Sequence, residues 1–273
     1  MAANTFAAIG VAALLLQSYQ AIWDRTVYPG HGIVVTLVVA VACAGYGLAR
    51  ARAGRAITRE LRHPRCRIEI LPGDLFDESE GHLVIGFTDV FDTDVADDRI
   101  IHRSSLQGQF LHRVYGDQTV ELDRDLDAAL EQECGAIAVD RAVKPYGKLR
   151  RYPIGTVAVL GMPRRLYFCL AYSTMTPSLV AQSSQERLWL SLNRLWSAVY
   201  ERGQRQPLAM PVAGAALARL DSFDRPALVR LILLSFVATS RERLLTTRLR
   251  IILPRHEFDE LDRLQLQAFL DSL

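Results

Sequence analysis

A chain of 273 residues that is 50% hydrophobic and 23% charged has room for one or two globular units with a sizeable core. Its net charge of +2 is too small for the basic face of a general nucleic-acid binder, so no nucleic-acid partner is expected. Cys43, Cys66, Cys134 and Cys169 stand singly, with no C-x-x-C pair and no zinc spacing, which fits a reducing compartment without structural disulfides or a metal site.

In chain order, two apolar runs come first. Thr5–Trp23 and Gly32–Ala49 each approach the roughly 20 residues that cross a bilayer as a helix. The connector, Asp24–His31, is short and contains Pro29-Gly30, so residues 1–49 are predicted to form a transmembrane hairpin. A cleaved signal peptide needs a basic n-region, which Met1-Ala-Ala-Asn lacks. The eighteen residues Arg50–Arg67 then carry seven arginines. Residues 50–66 are read as a basic cytoplasmic linker that fixes topology: two spans, with both termini and the following domain inside. The same block also suits contact with anionic lipid headgroups.

From residue 67 onward strands alternate with helices. Arg67–Leu71 reads as a strand running into a turn at Pro72-Gly73-Asp74, and Leu83–Thr88 as a buried strand. Ser104–Tyr115 has helical spacing, a Ser cap and Gly116 as a stop; Leu122, Leu126 and Leu130 mark another helix. Thr156–Leu160 and Leu166–Ala171 read as adjacent strands. Ser183-Ser-Gln-Glu186 is a capping-box pattern opening a helix whose stripe runs from Leu188 to Val199, with Gly203 as its stop. Leu208–Met210 is a short strand, Asp224 caps a helix reaching about Thr239, and Leu249–Leu253 is a last strand. Phe258, Leu261, Leu264 and Ala268 mark one final helix. This alternation argues for an α/β domain with helices on both faces of a sheet over residues 67–273.

In such sheets ligands bind at the carboxyl ends of strands. Three segments fall there: Gly73-Asp74-Leu75; Gly86-Phe87-Thr88-Asp89 running on through Phe91 to Ser105-Leu106-Gln107-Gly108; and Pro211-Val212-Ala213-Gly214-Ala215-Ala216, continuing to Leu217. The small residues of the third let backbone N–H groups approach phosphate, and they equally suit a plain tight connection.

These segments in this order resemble a macrodomain, the α/β module that binds ADP-ribose and its derivatives. The resemblance implies a mixed sheet flanked by helices. It implies that Asp74 accepts a hydrogen bond from the adenine amino group. The loop holding Thr88, Asp89 and Phe91, and the helix start holding Ser105, Gln107 and Gly108, are then expected to face the ligand. Pro211, Val212, Ala213, Gly214, Ala215, Ala216 and Leu217 are expected to wrap its diphosphate. More specifically, the chain is similar to membrane-anchored divergent macrodomain effectors of Thoeris-type anti-phage defence. That likeness is carried by the two apolar runs, the Gly-Asp turn, Ser105–Phe110 and the stretch Ala181–Trp189, Ala-Gln-x-x-x-Glu-x-x-Trp. It implies a TIR-domain partner that makes an ADP-ribose-derived messenger, histidine-ADP-ribose, from NAD. The messenger binds the macrodomain, and the protein oligomerises in the inner membrane and disrupts it, with no catalysis and no cofactor.

Two departures from ordinary macrodomains matter. Gly86-Phe87-Thr88-Asp89 stands where hydrolases carry an Asn-rich catalytic loop, which argues against hydrolysis. Gly214-Ala215-Ala216 replaces Gly-Thr-Gly while keeping the side chains small. The rival reading is a membrane-tethered hydrolase of ADP-ribose conjugates, with Asp89 and the six histidines as candidate acid–base groups, of which His82, His102, His112 and His256 lie in the macrodomain region. Each histidine is expected to be surface or structural instead, and Asp92 and Asp94 are expected on a solvated loop face.

Overall fold

The computed structural model describes Val41, residues 56–212 and residues 224–273. The chain divides into two compact units, Met1–Ala56 and Ile57–Leu273. Apart from Val41 and Ala56, the first unit lies outside the described residues, and so do the two apolar runs predicted to span a membrane. Among the described residues no helix is long and apolar enough to cross a membrane.

The second unit is built on a mixed sheet. Its strands are β1 (Ile57–Leu61), β2 (Cys66–Pro72), β3 (His82–Thr88), β6 (Val157–Met162), β7 (Arg165–Met175), β8 (Ala181–Gln182), β9 (Leu208–Pro211) and β10 (Arg248–Leu253). They run in the order β1-β2-β10-β9-β3-β7-β6, with β8 pairing β7 beyond its junction with β6. The five central strands β2, β10, β9, β3 and β7 are mutually parallel; β1, β6 and β8 are antiparallel to their neighbours. A separate two-stranded ladder joins β4 (Ile137–Ala138) to β5 (Arg150–Arg151).

Parallel strands bury both faces, so their sequences read as continuous apolar runs whose alternate residues serve different cores. In β3, Val84 enters one core while Leu83, Ile85 and Phe87 enter the other; in β7, Phe168 and Leu170 oppose Cys169 and Ala171. On the first face pack α3 (Gln185–Arg202), α4 (Arg225–Glu242), α5 (Arg255–Asp259) and α6 (Arg263–Ser272), with Trp196 set edge-on to Phe236 at 5.3 Å. On the second pack α1 (Leu106–Tyr115) and α2 (Thr119–Leu130), through Phe110, Leu111, Leu122, Leu126 and Leu130. The expected α/β sheet with helices on both faces is therefore present, and the stripes Leu122–Leu126–Leu130 and Leu188–Leu192–Leu195–Val199 are buried as their spacing required.

Several boundaries differ from the sequence reading. Ile57–Leu61, assigned to the basic linker, forms β1 and pairs in full register with β2. The arginine content of Arg50–Arg67 masked it: Ile57 is buried at its start, whereas Arg59, two residues on along this edge strand, is only partly buried and reaches Asp271 at 3.2 Å. Helix α3 is capped by Ser184, which accepts from the Arg187 amide at 3.2 Å, while Ser183 instead donates to the Tyr172 carbonyl at 2.6 Å. Ala181-Gln182, read with that helix, belongs to β8. The final helix is two helices, because Asp262 caps a fresh start with bonds from the Leu264 and Gln265 amides. Leu264 is consequently 84% exposed, and Leu266 and Leu270 carry the buried face.

Candidate functional site

The carboxyl ends of the five parallel strands open onto one cavity of about 890 Å³. The sheet order places Asp74 and Leu75 beyond β2, Pro254 and Glu257 beyond β10, and Pro211 and Val212 at the end of β9. Gly86, Phe87 and Thr88 follow on β3, and Tyr172, Ser173 and Met175 on β7. Ser105 and Gln107 from the start of α1, and Leu179 and Val180 from the turn between β7 and β8, complete the walls.

Asp74 is held from two sides. Its Oδ1 accepts from the Phe76 amide at 2.9 Å, capping a short 3-10 turn over Leu75–Asp77, and its Oδ2 pairs with Arg113 of α1 at 2.8 Å. The Arg113 guanidinium also lies 5.4 Å from the centre of the Phe76 ring. The Gly73 amide donates to the Leu253 carbonyl at 2.8 Å, so the Asp74 turn is fixed to the end of β10. Ionised carboxylates offer about four acceptor positions, so these two contacts leave Asp74 able to accept from a ligand.

Thr88 ends β3 where its register against β7 shifts. It is buried, it lines the cavity, and its Oγ1 has no hydrogen-bond partner among the described residues. Ser105 caps α1, accepting from the Gly108 amide at 3.1 Å and donating to the His102 carbonyl at 2.6 Å. Gln107 is buried in the wall, and its Nε2 donates to the Asp92 carbonyl.

Three of the residues expected to face the ligand do not line this cavity. Asp89 is buried against β7 and β5: its Oδ1 accepts from the Met175 amide at 3.0 Å and its Oδ2 pairs with Arg151. Burial pushes the Asp89 carboxyl above its usual range, against the pull of the Met175 amide and the Arg151 guanidinium. Phe91 is fully buried in the second core, stacked on Phe87 at 5.5 Å and edge-on to Tyr152 at 5.6 Å, with φ at +49°. Gly108 is buried inside the first turn of α1. Ala213, Gly214, Ala215, Ala216 and Leu217 lie outside the described residues.

Asp92, expected on a solvated face, is 1% exposed. It forms an ion pair with Lys144 at 2.9 Å, and Lys144 is equally buried and also donates to the carbonyls of Tyr146 and Lys148. Asp92 further accepts from the Lys148 amide. Burial pushes its carboxyl up, opposed by Lys144 and that amide. Gly147 makes the approach possible: at φ +76° it has no side chain, and a Cβ there would stand 2.2 Å from Asp92 Oδ1. Asp94, by contrast, is exposed as expected.

The histidines divide cleanly. His82 is fully buried, with Nδ1 accepting from the Leu166 amide at 3.1 Å and Nε2 donating to the Gly203 carbonyl at 3.0 Å. Burial lowers its pKa, so it is a neutral strap between β3, β7 and the end of α3. His112 is exposed and 2.8 Å from Asp117, and His256 is exposed near Glu257 at 3.9 Å. His102 alone of these lines the cavity. Sequence reasoning missed Glu257 and Tyr172; carrying the strand-end rule on to β10 would have reached the first.

The family described as Thoeris protein ThsA, Macro domain, matches residues 68–254. The Thoeris protein ThsA of Bacillus amyloliquefaciens (strain Y2) is 28% identical over 155 residues, 56% of this chain and 50% of its own length. The chain thus spans about half the length of that curated relative. Among solved structures, a point mutant of the Oceanobacillus iheyensis macrodomain superposes with a TM-score of 0.53 at 12% identity, over 80% of this chain and 96% of that one. The same macrodomain with MES bound gives 0.53 at 12% identity, over 80% and 97%. At that identity the likeness speaks to fold alone.

Proposed function

The chain belongs to the Thoeris ThsA macrodomain family, and on that premise we propose that it is a ligand-binding effector of anti-phage defence that holds an ADP-ribose-derived messenger in its strand-end cavity. The observation that carries this reading is the cavity of about 890 Å³ at the carboxyl ends of the five parallel strands, with the Asp74 carboxylate held at one side of it by Arg113 and the Phe76 amide. Cavities of this size suit nucleotide-sized ligands.

In this reading Asp74 takes the adenine amino group and the Pro211–Leu217 segment takes the diphosphate. The messenger is histidine-ADP-ribose, made from NAD by a TIR-domain partner. In the same reading the two N-terminal apolar runs anchor the protein in the inner membrane, with the ligand domain in the cytoplasm. Binding shifts the protein toward an oligomer that disrupts the bilayer and ends growth of the infected cell, provided the ligand favours the assembled state.

Binding without hydrolysis is supported by two arrangements. Asp89, the acid considered for hydrolysis, is committed to Arg151 and the Met175 amide, away from the cavity. His82 is committed to two backbone groups. Calorimetry of the full-length protein in detergent, with ADP-ribose and histidine-ADP-ribose as titrants, tests the reading. Micromolar or tighter binding with the titrant recovered intact is expected. Absence of binding to both sinks the sensor role, and recovery of cleaved conjugate restores the hydrolase. An oligomer size that stays constant across a saturating titration rules out the assembly step.

A further inference from the structure

We propose that Glu257 is a specificity-determining residue whose carboxylate accepts a hydrogen bond from a hydroxyl of the ligand's adenosine ribose. The proposal rests on the reading of the cavity given above and concerns a part of it that neither the family match nor the sequence motifs reach.

Glu257 lies on α5, just past the end of β10, and lines the cavity while only 9% exposed. A carboxylate so buried needs a partner. It has one in Arg225, at the start of α4, whose Nη2 reaches Glu257 Oε1 at 2.9 Å. That contact accounts for the burial of the charge but occupies one acceptor position of about four. Arg225 also meets the exposed Glu260 at 3.1 Å, so its own charge does not depend on Glu257 alone.

The order of the strands supplies the rest. Strands β2, β10 and β9 are adjacent and parallel, and their carboxyl ends present Asp74, then Pro254 and Glu257, then Pro211 and Val212. With the base at Asp74 and the diphosphate at the Pro211 segment, the sugar that joins them covalently lies over the end of β10. The charged group waiting there is a carboxylate, which accepts hydroxyl hydrogens in charge-assisted bonds. It also repels a phosphate, so a ligand phosphorylated on this ribose is excluded by the same side chain.

The test is calorimetry of the full-length protein in detergent with ADP, 2′-deoxy-ADP and 3′-deoxy-ADP, for the wild type and the Glu257→Gln and Glu257→Ala variants. The wild type is expected to prefer ADP over at least one deoxy analogue by about tenfold, the worth of one charge-assisted hydrogen bond. In the variants that preference falls to about twofold or less. Gln keeps an acceptor for Arg225, so Glu257→Gln carries the test if Glu257→Ala fails to fold. A purely structural Glu257 would lower affinity for all three nucleotides in parallel. A wild type that binds ADP without discrimination, or a discrimination that both variants retain, overturns the proposal while leaving the cavity reading intact. A wild type that binds neither ADP nor ADP-ribose removes the cavity reading and this proposal together.

Discussion

Replacing Lys144 with Met removes one charge from a pair in which both side chains are at most 1% exposed. Methionine matches the length of the lysine stem, so the core stays filled and the perturbation is chiefly electrostatic. Asp92 is left with the Lys148 amide as a donor, and the Tyr146 and Lys148 carbonyls each lose the lysine ammonium. Breaking a buried pair from one side costs about 3–5 kcal/mol, because the remaining charge is uncompensated. For a domain of this size that lowers Tm by roughly 6–20 °C. The loss carries a pH signature. Burial already pushes the Asp92 carboxyl up, and removing Lys144 pushes it further. The folded state then binds its proton more readily than the unfolded chain, so stability rises as pH falls below the raised value toward the ordinary carboxylate range and is lost as pH climbs back through the raised value. Urea unfolding of the variant at pH 7.5 and pH 5.5, alongside Lys144→Met/Asp92→Asn, measures both effects. The double variant should recover much of the loss at pH 7.5 and show a flatter pH profile. A single-variant loss below about 1 kcal/mol, typical of exposed pairs, or an identical loss at both pH values, would refute the buried-pair argument.

Thr88→Val removes the unpartnered, inaccessible Oγ1 at nearly constant volume, so the melting temperature of the ligand-free protein should hold or rise, and a drop of several degrees would contradict the unpaired hydroxyl. Gly86→Ala places a Cβ 2.5 Å from the Tyr172 ring. The ring must swing within the cavity wall, and a stability loss of about 1–3 kcal/mol is expected together with weaker binding. His82 gives a second pH dependence. Its folded pKa is lowered by burial, so below the ordinary value of about 6.5 the unfolded chain takes up the proton first and stability falls with pH. Unfolding midpoints from pH 8 to 5.5 should show that fall, and a His82→Gln variant should lack most of it.

The strands were legible because parallel strands buried on both faces leave apolar runs, as in Leu83–Phe87 and Ile251–Leu253. Helix starts were legible where a side chain caps them, as Ser105 and Asp224 do. Composition misled where a dense run of arginines hid the short edge strand β1, whose one fully buried side chain is Ile57. It misled again at Asp92, because the rule that charges stay outside says nothing of a distant partner; Lys144 lies fifty-two positions away. The cavity was partly legible through the strand-end rule, which gave Asp74, Thr88 and Pro211. Strand β7 was read as ending at Ala171 but continues to Met175, and that extension carries Tyr172, Ser173 and the turn holding Leu179 and Val180 into the site.

The loop that follows β3 is anchored at several points that owe nothing to a ligand. Asp89 is fixed to Arg151, Asp92 to Lys144, and the Gln107 amide to the Asp92 carbonyl. Between the two acids Phe91 holds a positive φ, a conformation costing a bulky residue about 1–2 kcal/mol. Its packing against Phe87 and Tyr152 offsets that cost. The wall formed by Thr88 and Gln107 is therefore set in advance, which reduces the ordering cost of binding. It also means that this wall is poorly suited to report occupancy, since a rigid surface has little to change. The pair that a ligand can rearrange at small cost is the half-exposed Asp74–Arg113, where solvent already screens the attraction; Glu257 is nearly buried, so disturbing its pair with the half-exposed Arg225 costs more. A ligand donor competing for Asp74 loosens α1 from the end of β2, and one competing for Glu257 loosens the start of α4 from α5. On the proposed reading, the last turn of α1 and the start of α4, on opposite faces of the sheet, are where a response to the ligand begins.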